Sequence, residues 1–318
     1  MVARAKRIPP GKKPISTMPS NTTPLGIDPT VDFAFKLMLG SPDHTVITTH
    51  FLNAVLGVIP PITRVNILNP ILEKGFADDK YAVLDVRAED DAGRQLDIEM
   101  QTKLRDSTAP RLAYYTSRLY LGQLKKGDDY SDLRPAISIC LLKQSIFPER
   151  PQLHLSFQLR DEGGLVLTDK LQIHLIQLSM LRVTAHNVAV VSALEQWAFF
   201  FLNAERLSVT RLAQLLPAPV FHEALGVLEM ISKNSQKRAL YEARLKFERD
   251  QAAALKDARN EGFRLGESTG EARGEAIGKI MALEQILGIS TTGKQELAQL
   301  TIAELETRVA DLLRRFQA

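Results

Sequence analysis

Residues 80–101 read KYAVLDVRAEDDAGRQLDIEMQ, in which two strand-like runs flank an acidic turn that contains one glycine. Successive side chains of a strand point to opposite faces, so Asp85 and Arg87 share one face of the first run. In the second run, Asp97, Glu99 and Gln101 alternate with apolar residues. The sequence therefore predicts an antiparallel hairpin with one apolar and one polar face, and restricts the fold to one with a sheet here.

The register of this hairpin decides which carboxylates meet. A short loop with Gly93 at positive φ, centred on Ala92, sets Asp85 opposite Glu99. A centre one residue earlier sets Asp85 opposite Asp97 instead. Either register brings two carboxylates together, and such oxygen ligands suit Mg²⁺ or Mn²⁺ rather than zinc. The alternative interpretation is an ordinary amphipathic hairpin with its polar face in water.

Composition sets the broad class of the protein. A chain of 318 residues with 45% hydrophobic residues has room for one large domain, or for a domain with an appendage. The net charge of +3 does not by itself indicate a nucleic-acid binder. The single cysteine, Cys140, lies in the apolar run AISICLL, which predicts a buried thiol in a reducing, cytoplasmic compartment. Since no run is long and apolar enough to cross a bilayer, we expect no membrane partner.

The region before the hairpin is predicted to begin with a tail. Residues 1–25 are basic and rich in Pro and Gly, which predicts disorder. VDFAFKLMLG follows, with Phe33, Leu37 and Met38 at helical spacing and Gly40 as a stop. A second helix over about 44–56 and a strand near 62–68 lead into the hairpin.

The region after the hairpin predicts a crossover helix and more strands. Residues 109–125 predict a helix that carries Arg111, Tyr115 and Arg118 at three- and four-residue spacing. The apolar run 135–142 is typical of a strand buried on both faces and reached by a helical crossover. Alternating residues near 153–159 and 171–178 predict further strands. From about residue 188 the pattern is helical, with Trp197, Phe200 and Phe201 inside.

A glycine repeat marks the C-terminal part of the chain. Glycines recur every four residues, at positions 262, 266, 270, 274 and 278. On a helix each costs about 1 kcal/mol relative to Ala, but together they form a ridge that lets another helix approach closely. We therefore expect a homo-oligomer formed through this helix; the alternative is a flexible connector. The domains predicted are 1–25 (tail), 26–185 (domain with the sheet), 186–240 (helical extension), 241–290 (long helix) and 291–318 (small helical segment).

The order of these elements resembles a known nuclease family. The segments DFAFKLMLG, FLNAVLG, DDKYAVLDVRAEDDAGRQLDIEMQ, RLAYYTSRLYLGQLKKGDDYSDLRPAISI and LQIHLIQL, with the Glu-Gly repeat near Glu261, are similar to the PD-(D/E)XK nuclease family transposases, also called recombination-promoting nucleases. The resemblance spans about residues 28–280. It implies an α/β, restriction-endonuclease-like core, a mixed sheet flanked by helices, followed by a mainly helical C-terminal region.

The resemblance also implies a metal centre on the hairpin. Asp85 and Glu99 would be its carboxylates, with the Met100 backbone carbonyl as a further ligand. Gln101 stands where the broader superfamily has a catalytic lysine, and a glutamine orients water but supplies no charge. Arg111, Arg118 or Lys80 would then supply charge near the phosphate, although each is equally read as a surface residue.

Three further residues are candidates for supporting roles. Asp32 at the start of the first helix would add an acidic group, unless it is only a helix-start residue that the dipole favours. Asp97 would support Glu99 from the same face, and Tyr115 fits a helix beside the DNA or in the core. The function implied is a Mg²⁺-dependent DNA endonuclease, with Mn²⁺ as the alternative ion, acting in recombination or on mobile elements. The competing hypothesis, supported by Gln101, is a weakly active or inactive nuclease-fold protein that binds DNA and oligomerises.

Overall fold

The computed structural model of the chain describes residues 23–68 and 85–317, with the backbone alone of 71–72 and 82–83. Contacts divide the described residues into two compact units, the first ending at Arg244 and the second beginning at Leu245. Residues 1–22 of the predicted tail lie outside the described residues. Leu25 is buried and its amide donates to the Leu207 carbonyl at 3.0 Å, so the packed part of the chain begins before residue 26.

A mixed sheet forms the centre of the first unit. The strands described are β1 (Val65–Leu68), β2 (Ile71–Leu72), β3 (Ala82–Val83), β4 (Val86–Asp90), β5 (Gln95–Gln101), β6 (Ala136–Leu142), β7 (His154–Arg160) and β8 (Val166–Gln177). Among them, β1, β4, β5, β6, β8 and β7 form one sheet in this order, and β2 pairs with β3. The pairs β5–β6 and β6–β8 are parallel, and the other pairs are antiparallel. This is the mixed sheet predicted from the sequence.

The helices of the first unit flank this sheet. They are α1 (Asp32–Leu39), α2 (Thr45–Leu56), α3 (Thr108–Leu121), α4 (Ala193–Asn203), α5 (Val209–Leu215) and α6 (Pro219–Lys233). α3 connects the parallel strands β5 and β6, and all seven residues of β6 are buried. The predicted buried strand and its helical crossover are thus confirmed, because a parallel strand between two neighbours exposes neither face to water.

Aromatic residues hold together the helical layer of this unit. A side-chain cap from Ser192 begins α4, and Trp197, Phe200 and Phe201 on that helix are all buried, as predicted. Trp197 packs 4.6 Å from Phe221 of α6, measured between ring centroids. Several large rings in mutual contact bury much apolar area, so this cluster is a main source of stability.

Three predicted details differ from the structure. The first run of the hairpin is not one strand, since β3 ends at Val83 and β4 begins only at Val86. α3 ends at Leu121 rather than near residue 125. The amide of the next residue, Gly122, donates a hydrogen bond to the Arg118 carbonyl. In α1 the buried residues are Ala34, Phe35, Met38 and Leu39 rather than the predicted face of Phe33, Leu37 and Met38. Such a short, largely apolar helix does not reveal which side faces the core, because apolar residues lie all around it.

The long helix α7 (Ser235–Ile286) begins before residue 241, starts in the first unit and continues through the second. In the second unit it is joined by α8 (Lys294–Leu297) and α9 (Ile302–Gln317). Ile280, Leu297, Leu305 and Leu312 form the core of that unit, together with Ala276 and Ile277. No helix in the described part of the chain has the length and apolar character required to span a bilayer.

Candidate active site

The hairpin brings Asp85 and Glu99 together. Val86 lies opposite Ile98, so the pairing is centred on Ala92, the first of the two predicted registers. The turn uses Gly93 at φ 76°, as predicted. The amide nitrogen of Asp85 lies 3.3 Å from Glu99 Oε1, and the Met100 amide donates to Asp85 Oδ2 at 3.0 Å.

The polar face of the hairpin is not in water. Asp97 and Glu99 are both 0% exposed, because they lie beside Ser138 and Cys140 of β6 and α3 crosses this face of the sheet. Leu112 of α3 packs against Cys140. The interpretation of an ordinary solvated face is therefore wrong for these two carboxylates.

Glu99 accepts hydrogen bonds from two side chains at one oxygen. Arg111 Nη2 lies 3.0 Å and Gln101 Nε2 lies 3.1 Å from Glu99 Oε2. Burial, and then the nearby charge of Asp85, raise the pKa of Glu99 to about 7, although Arg111 opposes the shift. Arg111 also stacks over the ring of Tyr115, 5.1 Å from its centroid. The charge of Asp85 and the burial of Glu99 both disfavour the ionised form of Glu99, whereas Arg111 favours it.

The structure adds a residue that the sequence analysis missed. Lys36 of α1 places its ammonium 3.3 Å from Asp85 Oδ1 and 2.7 Å from Asp32 Oδ1. Burial lowers the pKa of Lys36, but its hydrogen bond to Asp32 and the charge of Asp85 outweigh this and raise the pKa, so Lys36 is a cation. The only signal in the sequence was the four-residue spacing of Asp32 and Lys36, which does not show that α1 faces the hairpin.

Asp32 is connected to the site through Lys36. Its other oxygen, Oδ2, lies 3.1 Å from Nε of Arg244, in the third turn of α7. Two cations therefore hold this carboxylate, which is also the first residue of α1. Asp32 lies at the start of α1, as a residue favoured by the helix dipole would. It also contacts Lys36, the partner of Asp85, so its position is equally compatible with a supporting role in the site.

Asp97 lies in a separate, buried polar group. Ser138 donates to Asp97 Oδ2 at 3.1 Å, and Thr116 Oγ1 lies 2.8 Å from Ser138 Oγ. Asp97 Oδ1 has no hydrogen-bond partner within the described ranges. Burial, and then the charge of Glu99, raise the pKa of Asp97 well above its ordinary value. Asp97 thus shares the face of Glu99 and is held by β6 and α3.

The remaining predicted residues lie at different distances from the carboxylates. Arg118 is two helical turns beyond Arg111, about 10 Å along the axis of α3. Lys80 lies outside the described residues. Arg105, which was not predicted, lines a small recess beside Gln101 and Arg111 at the start of α3. Of these three residues, Gln101 and Arg111 donate hydrogen bonds to Glu99.

The residues present fit a hard divalent cation. No group of three or more His, Cys, Asp or Glu side chains in the described ranges is arranged as a metal site. The candidate donors are instead the carboxylates of Asp85 and Glu99 and the carbonyl of Met100, which points to the same side of β5 as its amide. Mg²⁺ commonly binds through one or two carboxylates and keeps several waters. Burial, and then the charge of Asp85, raise the pKa of Glu99 to about 7, so a cation beside Glu99 would favour its ionised form.

The chain was compared with known proteins at the level of family models, curated sequences and solved structures. A family model described as PD-(D/E)XK nuclease family transposase matches residues 29–258. Neither the curated proteins nor the solved structures gave a match. The matched residues include the whole sheet, α1 to α6 and the described part of the site, and they end before the glycine repeat.

Proposed function

The chain belongs to the PD-(D/E)XK nuclease family transposases, and on that premise we propose that it is a metal-dependent DNA endonuclease. The observation that carries the proposal is that Glu99 is buried beside the partly exposed Asp85, whose amide contacts Glu99 Oε1 at 3.3 Å and whose charge helps raise the pKa of Glu99 to about 7. Two carboxylates close together repel each other, and a divalent cation bound by both offsets that repulsion more strongly than the single charges of Lys36 and Arg111. A family of nucleases acts on the phosphodiester bonds of DNA, which is therefore the proposed substrate.

Asp85, Glu99 and the Met100 carbonyl are the proposed ligands of Mg²⁺, with Mn²⁺ as an alternative. When bound, such an ion lowers the pKa of a water molecule and offsets negative charge on the scissile phosphate. Gln101, whose amide already reaches Glu99, would orient that water. Arg111 and Arg105 would hold phosphate oxygens through charge-assisted hydrogen bonds, since both line the recess beside Glu99.

The biological setting proposed is recombination or a mobile element, in line with the description of the matching family. The competing function is a weakly active or inactive nuclease-fold protein that binds DNA, and the neutral side chain of Gln101 favours it. A calorimetric titration separates the two. The nuclease binds Mg²⁺ at millimolar concentration, whereas the inactive protein binds DNA without binding the ion.

Plasmid cutting tests the proposed activity directly. The purified full chain is expected to nick or linearise supercoiled DNA with Mg²⁺ or Mn²⁺ and to leave it intact in a chelator. Asp85→Asn should abolish cutting, because it removes the charge of one ligand while preserving shape. Asp257→Asn, on the exposed surface of α7, is the matched control and should cut normally. Full cutting by Asp85→Asn would overturn the assignment of the site.

We also propose that α7 pairs with a second copy of this chain. At each of the five repeated glycines an added Cβ would meet nothing within 4 Å, so contacts within the described chain do not require these glycines. Phe263 is 74% exposed and lies three and seven residues before Gly266 and Gly270, on the same helix face. A large apolar ring beside an open ridge is the arrangement expected of a helix–helix contact.

Sedimentation analysis of two leucine variants tests this pairing. Gly270→Leu fills the ridge, whereas Ala254→Leu adds the same side chain on nearly the opposite side of the helix. The first variant should become a monomer and the second should remain associated. Both substitutions raise helix propensity or leave it nearly unchanged, so a loss of α7 would not explain the result. A wild-type chain that is monomeric at all concentrations would refute the pairing.

The compartment proposed is the reducing cytoplasm. Cys140 is buried and free, and it is the only cysteine of the chain. Burial raises the pKa of its thiol well above the ordinary value, so it is neither a ready nucleophile nor a disulfide partner.

A further inference from the structure

The proposed active site lacks a cation on its catalytic strand. Gln101 is neutral, and its amide donates to Glu99. Arg111 is bound to the same Glu99 oxygen and stacked on Tyr115, so its charge lies on the Glu99 side of the pair. Lys36 is a second cation in contact with the carboxylate pair, 3.3 Å from Asp85 Oδ1.

We propose that Lys36 of α1 supplies, at the scissile phosphate, the positive charge that Gln101 cannot provide. This inference rests on the proposed nuclease function. Its basis is geometric: an ammonium 3.3 Å from Asp85 Oδ1 lies beside the oxygen atoms that would hold the metal. Lys36 therefore enters the site from a different element, on the Asp85 side, while Arg111 enters on the Glu99 side.

The hydrogen-bonding capacity of Lys36 leaves room for a ligand. An ammonium group has three hydrogens and no acceptor, and among the described residues its partners are Asp32 and Asp85. One hydrogen remains for a phosphate oxygen or for the attacking water. The side chain of Lys36 is 37% exposed, so it is partly open to solvent.

The position of Lys36 is held from behind. Asp32 lies one helical turn earlier and contacts Lys36 at 2.7 Å, and Arg244 contacts the other oxygen of Asp32 at 3.1 Å. An ammonium fixed by a carboxylate that is itself fixed loses less side-chain entropy when it binds a phosphate. The ion pairs of Arg244 with Asp32 and of Asp32 with Lys36 thus orient the Lys36 ammonium toward Asp85.

The role proposed requires no change in the protonation of Lys36. In hydrolysis, the water oxygen forms a bond to phosphorus while the bond to the leaving sugar oxygen breaks. One proton of the water passes to solvent, and the leaving oxygen takes up a proton. Lys36 donates a hydrogen bond throughout, and its positive charge offsets the charge that grows on the phosphate oxygens.

Substitution of Lys36 with matched controls tests the proposal. Lys36→Met keeps the apolar stem and removes the charge, and Lys36→Arg keeps the charge. Lys233→Met is the control, because Lys233 forms an exposed ion pair with Glu229, also four residues earlier on a helix. Circular dichroism of each full-length variant verifies folding. A double variant, Lys36→Met with Gln101→Lys, returns the cation from β5.

The expected result is a fall in cutting of about 10²–10³-fold for Lys36→Met, the usual effect of losing one preorganised donor. The double variant should regain at least part of that loss, and Lys233→Met should cut normally. Calorimetry should show Mg²⁺ binding to Lys36→Met that is as tight as in the wild type or tighter, because a competing cation beside Asp85 is gone.

Binding of uncut DNA, measured with Ca²⁺, gives a readout that does not depend on cutting. Loss of one phosphate contact should reduce the slope of log affinity against log salt by about 0.9. Lys36→Met with wild-type cutting and an unchanged slope would overturn the role of Lys36. Weakening of Mg²⁺ binding to the level of Asp85→Asn would also overturn it, since Lys36 would then only position Asp85. A wild-type chain that binds Mg²⁺ and DNA but never cuts refutes the nuclease function, and the slope then decides whether Lys36 contacts phosphate.

Discussion

Replacing Glu99 with glutamine should make the metal-free protein more stable at high pH. Glu99 is fully buried beside Asp85, and its pKa rises from 4.5 to about 7. At about 1.4 kcal/mol per pKa unit, holding Glu99 ionised in the folded state costs about 3 kcal/mol. Glutamine keeps the shape of the side chain and removes that charge.

The direction of the pH dependence follows from the raised pKa. Below pH 4.5 the carboxyl is protonated in both states, so its contribution to stability is complete. As the pH rises, the unfolded chain ionises first, and stability is lost until the pH passes the folded pKa near 7. Asp97, whose pKa is also raised, adds a loss of the same sign.

Urea unfolding in a chelator, near pH 4 and near pH 8, measures the effect. The wild type should lose about 3 kcal/mol more over this interval than Glu99→Gln does. Glu149→Gln, at an exposed position, is the control and should follow the wild type. The difference between variants reports mainly on Glu99, because most of the other titrating groups are shared. Removal of its charge also lowers the pKa of Asp97, which widens the difference.

Addition of Mg²⁺ near pH 8 completes this experiment. The wild type should regain stability, because the ion binds the folded state and relieves the repulsion between carboxylates. Glu99→Gln should regain much less. Parallel pH profiles for wild type and Glu99→Gln would refute the reasoning, since they would show that Glu99 is not held at a raised pKa.

Three further substitutions test other parts of the fold. Ser138→Ala removes the donor to buried Asp97 and should cost about 1–3 kcal/mol by urea unfolding; a change near zero would exclude this bond as a stabilising contact. His174, buried with a pKa lowered to about 4, should make stability fall as the pH drops from 6.5 to 4, by about 3 kcal/mol. His174→Gln should reduce this loss of stability between pH 6.5 and 4, and an unchanged loss would contradict the lowered pKa of His174. Trp197→Ala should cost about 3–5 kcal/mol, because the ring is fully buried among aromatic neighbours; thermal unfolding at wild-type temperature would contradict this.

Much of the sheet was predictable from local patterns. The alternation around Gly93 limited the hairpin to two registers, and the apolar run 135–142 indicated a strand covered on both faces. The break between Val83 and Val86 was not predictable, because alternation continues through it and the end of β3 depends on its pairing with β2. The face of α1 was missed for a similar reason, since apolar residues surround that short helix.

The residues of the candidate site divide in the same way. Asp85, Glu99, Gln101 and Arg111 were candidates from spacing and from the family resemblance, and the structure places the other three in contact with Glu99. The depth of Glu99 was not predictable, because its burial comes from α3 lying over β5 and β6. Lys36 was missed because its partner Asp85 is far along the chain, and only packing of α1 beside the hairpin joins them.

The sequence by itself determined the elements, the register options of the hairpin and the pair of carboxylates, because periodicity and turn residues act over a few positions. Only the tertiary structure decided that Glu99 is buried, that its pKa is raised to about 7 and that Lys36 contacts Asp85. Those properties depend on which helices cover which strands. Burial and charge contacts between residues far apart in the chain are set by the packing of whole elements, which no local pattern encodes.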